Sequence, residues 1–253
     1  MSVEAAPSSA SASEESTALA ARLLAERTAA LARLAAGIAH ELRNPLAVIL
    51  ARVQLLELAM KGGKPLPPGK LEMTLRTVGE QAVRASKIIE SLSIFARPRS
   101  PELVPVDLAE IIGHVLAAVR PHMPEDSPVT TEVNVATEAR SVVADHAQLT
   151  TALGQLTINA LQAMPDGGVL RIRACSGNDT VEISVADTGS GVAHHDASRI
   201  FDPFFSTKPA GAGLGLCVAQ TIAEAHGGSV RLVASGGPGA EFMLSLPARW
   251  RVP

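Results

Sequence analysis

Two apolar stripes at helical spacing, separated by a short proline and glycine segment, restrict the N-terminal part of this chain to a helical hairpin. Leu34, Ile38, Leu42, Leu46, Ile49, Val53, Leu56 and Met60 recur three or four residues apart, continuing a run begun by Leu19, Leu23 and Leu31. The segment GGKPLPPG, Gly62 to Gly69, ends that helix. A second stripe, Leu71, Leu75, Val78, Ala82, Ala85, Ile88, Leu92 and Phe95, runs to Arg97-Pro98, where proline stops it. At about 1.5 Å per residue the first helix exceeds roughly 60 Å. A lone hairpin leaves its stripe wet, so two copies are expected to pair as a homodimer through a four-helix bundle.

Composition bounds the rest. The chain has 253 residues, 47% of them hydrophobic, enough for two modest domains. Its net charge of −3 gives no basic face for nucleic acid or anionic lipid. The first residues, MSVEAAPSSASASEES, lack a basic start and an apolar core, so they are not a signal peptide, and residues 1–16 read as a disordered tail. No apolar run of about 18 residues occurs, so no membrane span and a cytoplasmic location are expected. Cys175 and Cys217 lack C-x-x-C spacing and read as buried free thiols in a strand and a helix.

After the linker PRSPELVP the elements shorten. Asp107 with Glu110 resembles a capping box opening a helix that runs through Arg120. Strands are expected at 129–135 and 141–144, then a helix from His146 to Met164. A hairpin at 169–174 and 181–186 turns around residues 177–179. A helix from Gly213 to Ala225 follows, and a last hairpin at 230–233 and 242–246. The alternation predicts an α/β sandwich, a mixed sheet covered on one face by helices. The expected domains are residues 17–98 and 105–250.

His40 sits two residues from Ile38 and two from Leu42, so it points away from the stripe, with Glu41 beside it and Asn44 one turn on. An imidazole near its reference pKa of about 6.5 is largely a neutral nucleophile at neutral pH. A carboxylate can hold one ring N–H while the other nitrogen faces an electrophile. The ordinary alternative is an exposed His paired with its neighbour. Pro45 argues against it, because proline within a long helix costs about 3 kcal/mol and frees backbone groups nearby.

These residues, Gly37-Ile-Ala-His-Glu-Leu-Arg-Asn-Pro45, resemble the phosphoacceptor box of two-component sensor histidine kinases, in the variant of nitrogen-regulation-type sensors. The resemblance implies that His40 is the phosphorylated residue, that Glu41 orients it as a base, and that Asn44 positions a water which hydrolyses phosphate from a partner regulator. A second reading of Asn44 is that it tolerates the backbone before proline.

The C-terminal half is similar to the ATP-binding fold shared by histidine kinases, gyrase-type topoisomerases, mismatch-repair ATPases and large heat-shock chaperones. Residues 155–164, QLTINALQAM, match its asparagine box, which places Asn159 where an amide oxygen can bind Mg²⁺. Gln155 stands where the family's first Asn is usual and keeps the amide on a longer arm. Asp187-Thr-Gly-Ser-Gly191 matches the box whose Asp accepts a hydrogen bond from the adenine amino group, and Gly189 and Gly191 let that loop bend. Phe201, Phe204 and Phe205 match the phenylalanine box, with core packing as the simpler reading for at least one of them.

Ser206-Thr-Lys208 then lead to Gly211-Ala-Gly213-Leu-Gly215-Leu216, a glycine turn entering a helix whose first N–H groups face a triphosphate. Lys208 contacts phosphate or sits on a lid. His194-His195 reads as a solvated loop, and His226 as a helix-terminal residue.

The resemblance covers residues from about 20 to 247, with the boxes in family order. It implies ATP and Mg²⁺ as cofactors, autophosphorylation of His40, and transfer to an aspartate of a separate response regulator, since no receiver domain is present. Sensory input then comes through the short N-terminal segment, a partner or another region. Two other classes stay open: a regulator-binding module without kinase activity, and a chaperone-type ATPase switch. The intact His40, Asn159 and Asp187 count against the first, and the phosphoacceptor hairpin against the second.

Overall fold

Both apolar stripes form helices. The computed structural model describes residues 36–62, 66–96, 99–123, 128–177, 179–208, 213–234 and 237–248, so the expected tail at 1–16, the stripe before Ala36 and Gly211 lie outside the described residues. Helix α1 covers residues 36–61, and α2 is Pro68–Ala96. Pro68 opens α2 at its first helical position, where a missing N–H costs nothing. Pro45 lies inside α1 and is buried, and the helix continues through it. Its ring removes the N–H that the Glu41 carbonyl would have received one turn back.

The apolar arc of the hairpin is wider than one chain covers. Ile88 is buried and Pro45 with it, while Leu46 stays 54%, Leu50 57%, Leu58 74% and Leu75 55% exposed. On α2, Thr74 is buried at a position outside the expected stripe, its hydroxyl donating to the Lys70 carbonyl at 2.7 Å. The stripe therefore straddles a covered and an uncovered face. The chain divides into two compact units between Ala85 and Ser86, part way along α2.

The second unit is a two-layer α/β sandwich. Strand β1, Val104–Asp107, leads into α3, Leu108–Val119, and β2 is Val129–Val135. Strand β3, Ser141–Ala144, precedes α4, His146–Gln162, and the hairpin of β4, Gly168–Ser176, and β5, Thr180–Asp187. Helix α5, Gly215–Ala225, is followed by β6, Ser229–Ala234, and β7, Glu241–Pro247. The main sheet has the order β2-β4-β5-β7-β6, with β2 parallel to β4 and the other pairs antiparallel. β1 pairs with β3 in a separate two-stranded ribbon.

Alternation along the strands makes the core. Leu170 and Ile172 of β4, Ile183 and Val185 of β5, and Phe242 and Leu244 of β7 are buried beneath the helices. These meet Ile111, Ile112 and Val115 of α3, Leu149, Leu153 and Leu156 of α4, and Val218 and Ile222 of α5. The opposite face is polar, as the ion pairs Arg171 to Glu132 and Arg231 to Glu182 show.

Three local expectations are corrected or refined. Cys175 is exposed because its place on β4 turns it to the open face, whereas Cys217 is buried as expected and burial pushes its thiol up to about 11. Asp107 caps α3 through the Ala109 N–H at 2.8 Å, and its second oxygen takes Arg140 at 2.9 Å, which holds its carboxyl below the usual range. His226 is more than a helix end. It is buried, with Nδ1 2.8 Å from the Ile222 carbonyl and Nε2 accepting the Asp145 N–H at 3.0 Å. That pairing joins the end of α5 to the start of α4.

Candidate nucleotide site and phosphoacceptor helix

The hairpin presents its chemistry on one side of α1. His40 and Asn44, one turn apart, are exposed, and Glu41 is half-buried. An exposed imidazole keeps the solvent access that a phosphoacceptor needs, and the face carrying it is not the face covered by packing.

The second unit builds a site from three elements. Helix α4 supplies Gln155 and Asn159, both half-buried on consecutive turns of one face. The end of β5 supplies Asp187, and the segment before α5 supplies Lys208, Gly213 and the helix start. Hydrogen bonds join two of them: Lys208 Nζ donates to Asn159 Oδ1 and to the Asn159 carbonyl, each at 2.7 Å. Two oxygens of one residue thus already face a cation.

Asp187 is 7% exposed. Burial raises its carboxyl above the ordinary value, partly offset by the N–H groups of Gly189 and Ala240 and by the charge of Lys208. Its Oδ1 accepts the Gly189 N–H at 2.8 Å. Burial likewise lowers the Lys208 ammonium, with Asp187 opposing that shift. The two are opposite charges close enough to act on each other.

Glycine is required where backbones touch. A Cβ on Gly189 would lie 2.3 Å from the Ala163 carbonyl oxygen at the end of α4, so the loop after β5 seats directly on that helix. At Gly191, φ is +72°, and a Cβ would meet the Gly237 carbonyl oxygen at 2.3 Å. The turn at Gly237 to Gly239 supports this loop from below, with Gly239 N–H donating to the Gly189 carbonyl at 2.7 Å. Sequence reading missed that support, although the glycine-dense GGPG before β7 was a visible signal.

On the other side, Phe204 and Gly213 pair backbone to backbone at 2.8 Å, and both have positive φ, +65° each. Phe204 is thus held in a conformation few non-glycine residues adopt. The three phenylalanines part company. Phe201 packs edge-on to Phe242 in the core at 6.4 Å, while Phe205 carries the Arg199 guanidinium over its ring at 4.6 Å. Helix α5 begins at Gly215 with no side-chain cap. A Cβ on Gly215 would come within 2.8 Å of Gln155 Oε1, which sets Gln155 against the helix start. Leu216 in its first turn is half-buried.

The structure therefore brings together Gln155, Asn159, Asp187, Gly189, Gly191, Lys208, Gly213 and Gly215 within one unit. His40, Glu41 and Asn44 stand on the other. His194 and His195 are exposed, as expected of a solvated loop, with His195 Nε2 at 3.5 Å from Asp196. No helix of the described residues is long and apolar enough to cross a membrane.

Comparison with known proteins agrees with this division. Residues 30–101 match the family model described as His Kinase A (phospho-acceptor) domain, and residues 144–249 match that described as Histidine kinase-, DNA gyrase B-, and HSP90-like ATPase. The chain is 34% identical over 226 residues to the sensor histidine kinase ZraS of Escherichia coli O157:H7, covering 88% of this chain and 47% of that protein. It thus spans about half the length of that curated relative. Among solved structures, full-length ShkA in complex with AMPPNP is 27% identical with a TM-score of 0.64, covering 87% of this chain and 46% of that one. Histidine kinase ThkA in complex with response regulator protein TrrA shares the fold, with a TM-score of 0.69 at 23% identity over 88% of this chain and 64% of that one.

Proposed function

The chain belongs to the two-component sensor histidine kinases, and from that premise we propose that it is an ATP-dependent protein-histidine kinase that phosphorylates His40 and passes the phosphoryl group to an aspartate of a separate response regulator. The observation that carries this reading is the pairing, in one chain, of an exposed His40 flanked by Glu41 and Asn44 with a second unit in which a buried Asp187 carboxylate lies near Lys208 and Lys208 bonds Asn159. The response-regulator partner is supported by the complex formed by ThkA, whose fold this chain shares.

ATP takes the second unit. Asp187 Oδ2 accepts the adenine amino hydrogen, a donor that guanine lacks at that position. Gly189 and Gly191 keep the loop low enough for the base to enter. The free N–H groups of Gly215, Leu216 and their neighbours at the start of α5 face the phosphates, with Gly213 in the turn before it. Asn159, with Gln155 one turn earlier, fits Mg²⁺, because its carboxamide oxygen already attracts a cation in Lys208. Bound there, the metal supplies charge neutralisation to the phosphates. Lys208 then exchanges Asn159 for a phosphate oxygen.

In the transfer, Glu41 accepts one ring N–H of His40, and the other nitrogen attacks the γ-phosphorus as the bond to the β-phosphate oxygen breaks. ADP leaves. Holding the two groups in line is the main source of rate, since phosphoryl transfer asks little covalent chemistry of the protein. Within the 98–105 linker the stretch before β1 is the proposed hinge, and 17–98 and 105–250 the proposed domains, with α2 continuous as far as Ala96 and β1 starting at Val104. The exposed Leu46, Leu50, Leu58 and Leu75 support a homodimer closed through the hairpin.

Incubation with γ-labelled ATP tests the proposal. A label that is lost in acid and kept in base identifies phosphohistidine, and no label with Mg²⁺ present would leave a regulator-binding module instead.

A further inference from the structure

Glu110, His114 and His146 converge away from the nucleotide site. Glu110 and His114 are four residues apart on α3, so both project from one face. His146 is the first residue of α4, directly after its N-cap Asp145. One carboxylate oxygen and one nitrogen from each ring all lie within 4.8 Å of one another. The two imidazoles are 5.6 Å apart between centroids and tilted at 67°, so they meet edge to face and not as a stack. No ion pair or hydrogen bond joins any of these three side chains to another group among the described residues.

We propose that these three residues form a binding site for a borderline divalent transition metal of the zinc class. Two imidazoles and one carboxylate are a donor set such ions take with a water in the fourth position. Bonds of about 2.0–2.1 Å put tetrahedral donors roughly 3.4 Å apart. Glu110 and His114 are exposed and His146 half-buried, so small rotations close the present gap without disturbing the core. Magnesium, which prefers an all-oxygen octahedron, is excluded by the same donors.

The site is separate from the proposed magnesium ligand, since Asn159 lies 13 residues further along α4, about 20 Å at 1.5 Å per residue. Its place has a consequence. The N-terminal turn of α4 also anchors the segment arriving from the hairpin: the Glu102 N–H donates to Asp145 Oδ2 at 3.0 Å, and Gln148 Nε2 to the Arg99 carbonyl at 3.2 Å. A metal at His146 ties α3 to that same turn and so stiffens the anchor.

The test titrates Zn²⁺ into the full chain against a chromophoric chelator, with Co²⁺ absorption as a second probe of the donor set. One tight ion per chain is expected, together with a rise in melting temperature. The double variant His114→Gln/His146→Gln loses two of three ligands. Its zinc affinity should fall by more than the roughly 10–100-fold that removal of an outer-shell partner causes. Glu110→Gln alone should weaken it less, and His194→Gln/His195→Gln should leave it unchanged. Circular dichroism confirms that each variant is folded, and Mg²⁺-dependent ATP binding should be the same in all four proteins. Unchanged zinc affinity in the double variant, loss in the His194/His195 control, or no zinc binding by the parent chain overturns the proposal.

Discussion

Asp187, proposed to accept the adenine amino hydrogen, works against stability. A carboxylate buried to 7% exposure, with one N–H on Oδ1 and its charge only partly offset by Lys208, is held in the fold at a cost. Because its folded pKa is raised, the folded state binds the proton more tightly than the unfolded chain. Its contribution is therefore most favourable at low pH, and stability is lost as pH rises from about 3.8 through the raised value. Asp187→Asn keeps the acceptor for Gly189 N–H and removes the charge. The variant should melt a few degrees higher at pH 7, the difference should shrink below pH 4, and ATP binding should disappear. Melting curves at both pH values with an ATP titration check it, and a less stable variant at pH 7 would show that Lys208 compensates the charge fully. Asn44 offers a contrasting test. As an exposed amide one turn beyond His40, it should tolerate Asn44→Ala with self-labelling intact while dephosphorylation of the cognate regulator slows several-fold. If labelling, melting and dephosphorylation fall together, Asn44 only accommodates the chain before Pro45.

At the scale of elements, the sequence was most readable where periodicity and glycine carried the signal. The strand pairs around β4 and β5 and around β6 and β7, the cap at Asp107 and the start of α4 at His146 all fall where alternation and turn residues put them. Strand β1 was not legible, because four residues beside prolines have too little pattern, and its pairing with β3 is a long-range event. His226 does end α5 as expected, but its burial was not legible for a related reason: its partner Asp145 is far away in the chain. The Lys208 to Asn159 contact was equally out of reach of sequence. The hairpin stripe was visible, but periodicity does not say which part of a wide arc a single partner covers. Leu46 and Leu50 are 54% and 57% exposed on successive turns of α1. If the proposed bundle covers them, Leu46→Glu/Leu50→Glu should convert the dimer to a folded monomer, as read by light scattering and circular dichroism, since each buried leucine contributes about 1.5–3 kcal/mol. A double variant that stays dimeric would move the interface off this face.

For the whole molecule, the division of labour between two units gives the most decisive prediction. The proposed nucleotide site draws its side chains from α4, the end of β5 and the segment leading into α5, and the core beneath them is closed by α3, α4, α5 and the five-stranded sheet. His40 contributes to none of that. His40→Gln should therefore leave ATP affinity within about twofold of the parent while abolishing labelling, because none of the residues proposed to bind the nucleotide belongs to the unit that carries His40. Asp187→Asn should lose binding and labelling together. A piece spanning residues 99–253 should bind ATP as a monomer and remain unlabelled, since it carries the site but no acceptor helix. Nucleotide titration by calorimetry and labelling on the same preparations separate the two quantities. Labelling of the His40 variant at the parent's level would place the acceptor elsewhere, and loss of ATP affinity in that variant would mean that the hairpin helps to build the nucleotide site.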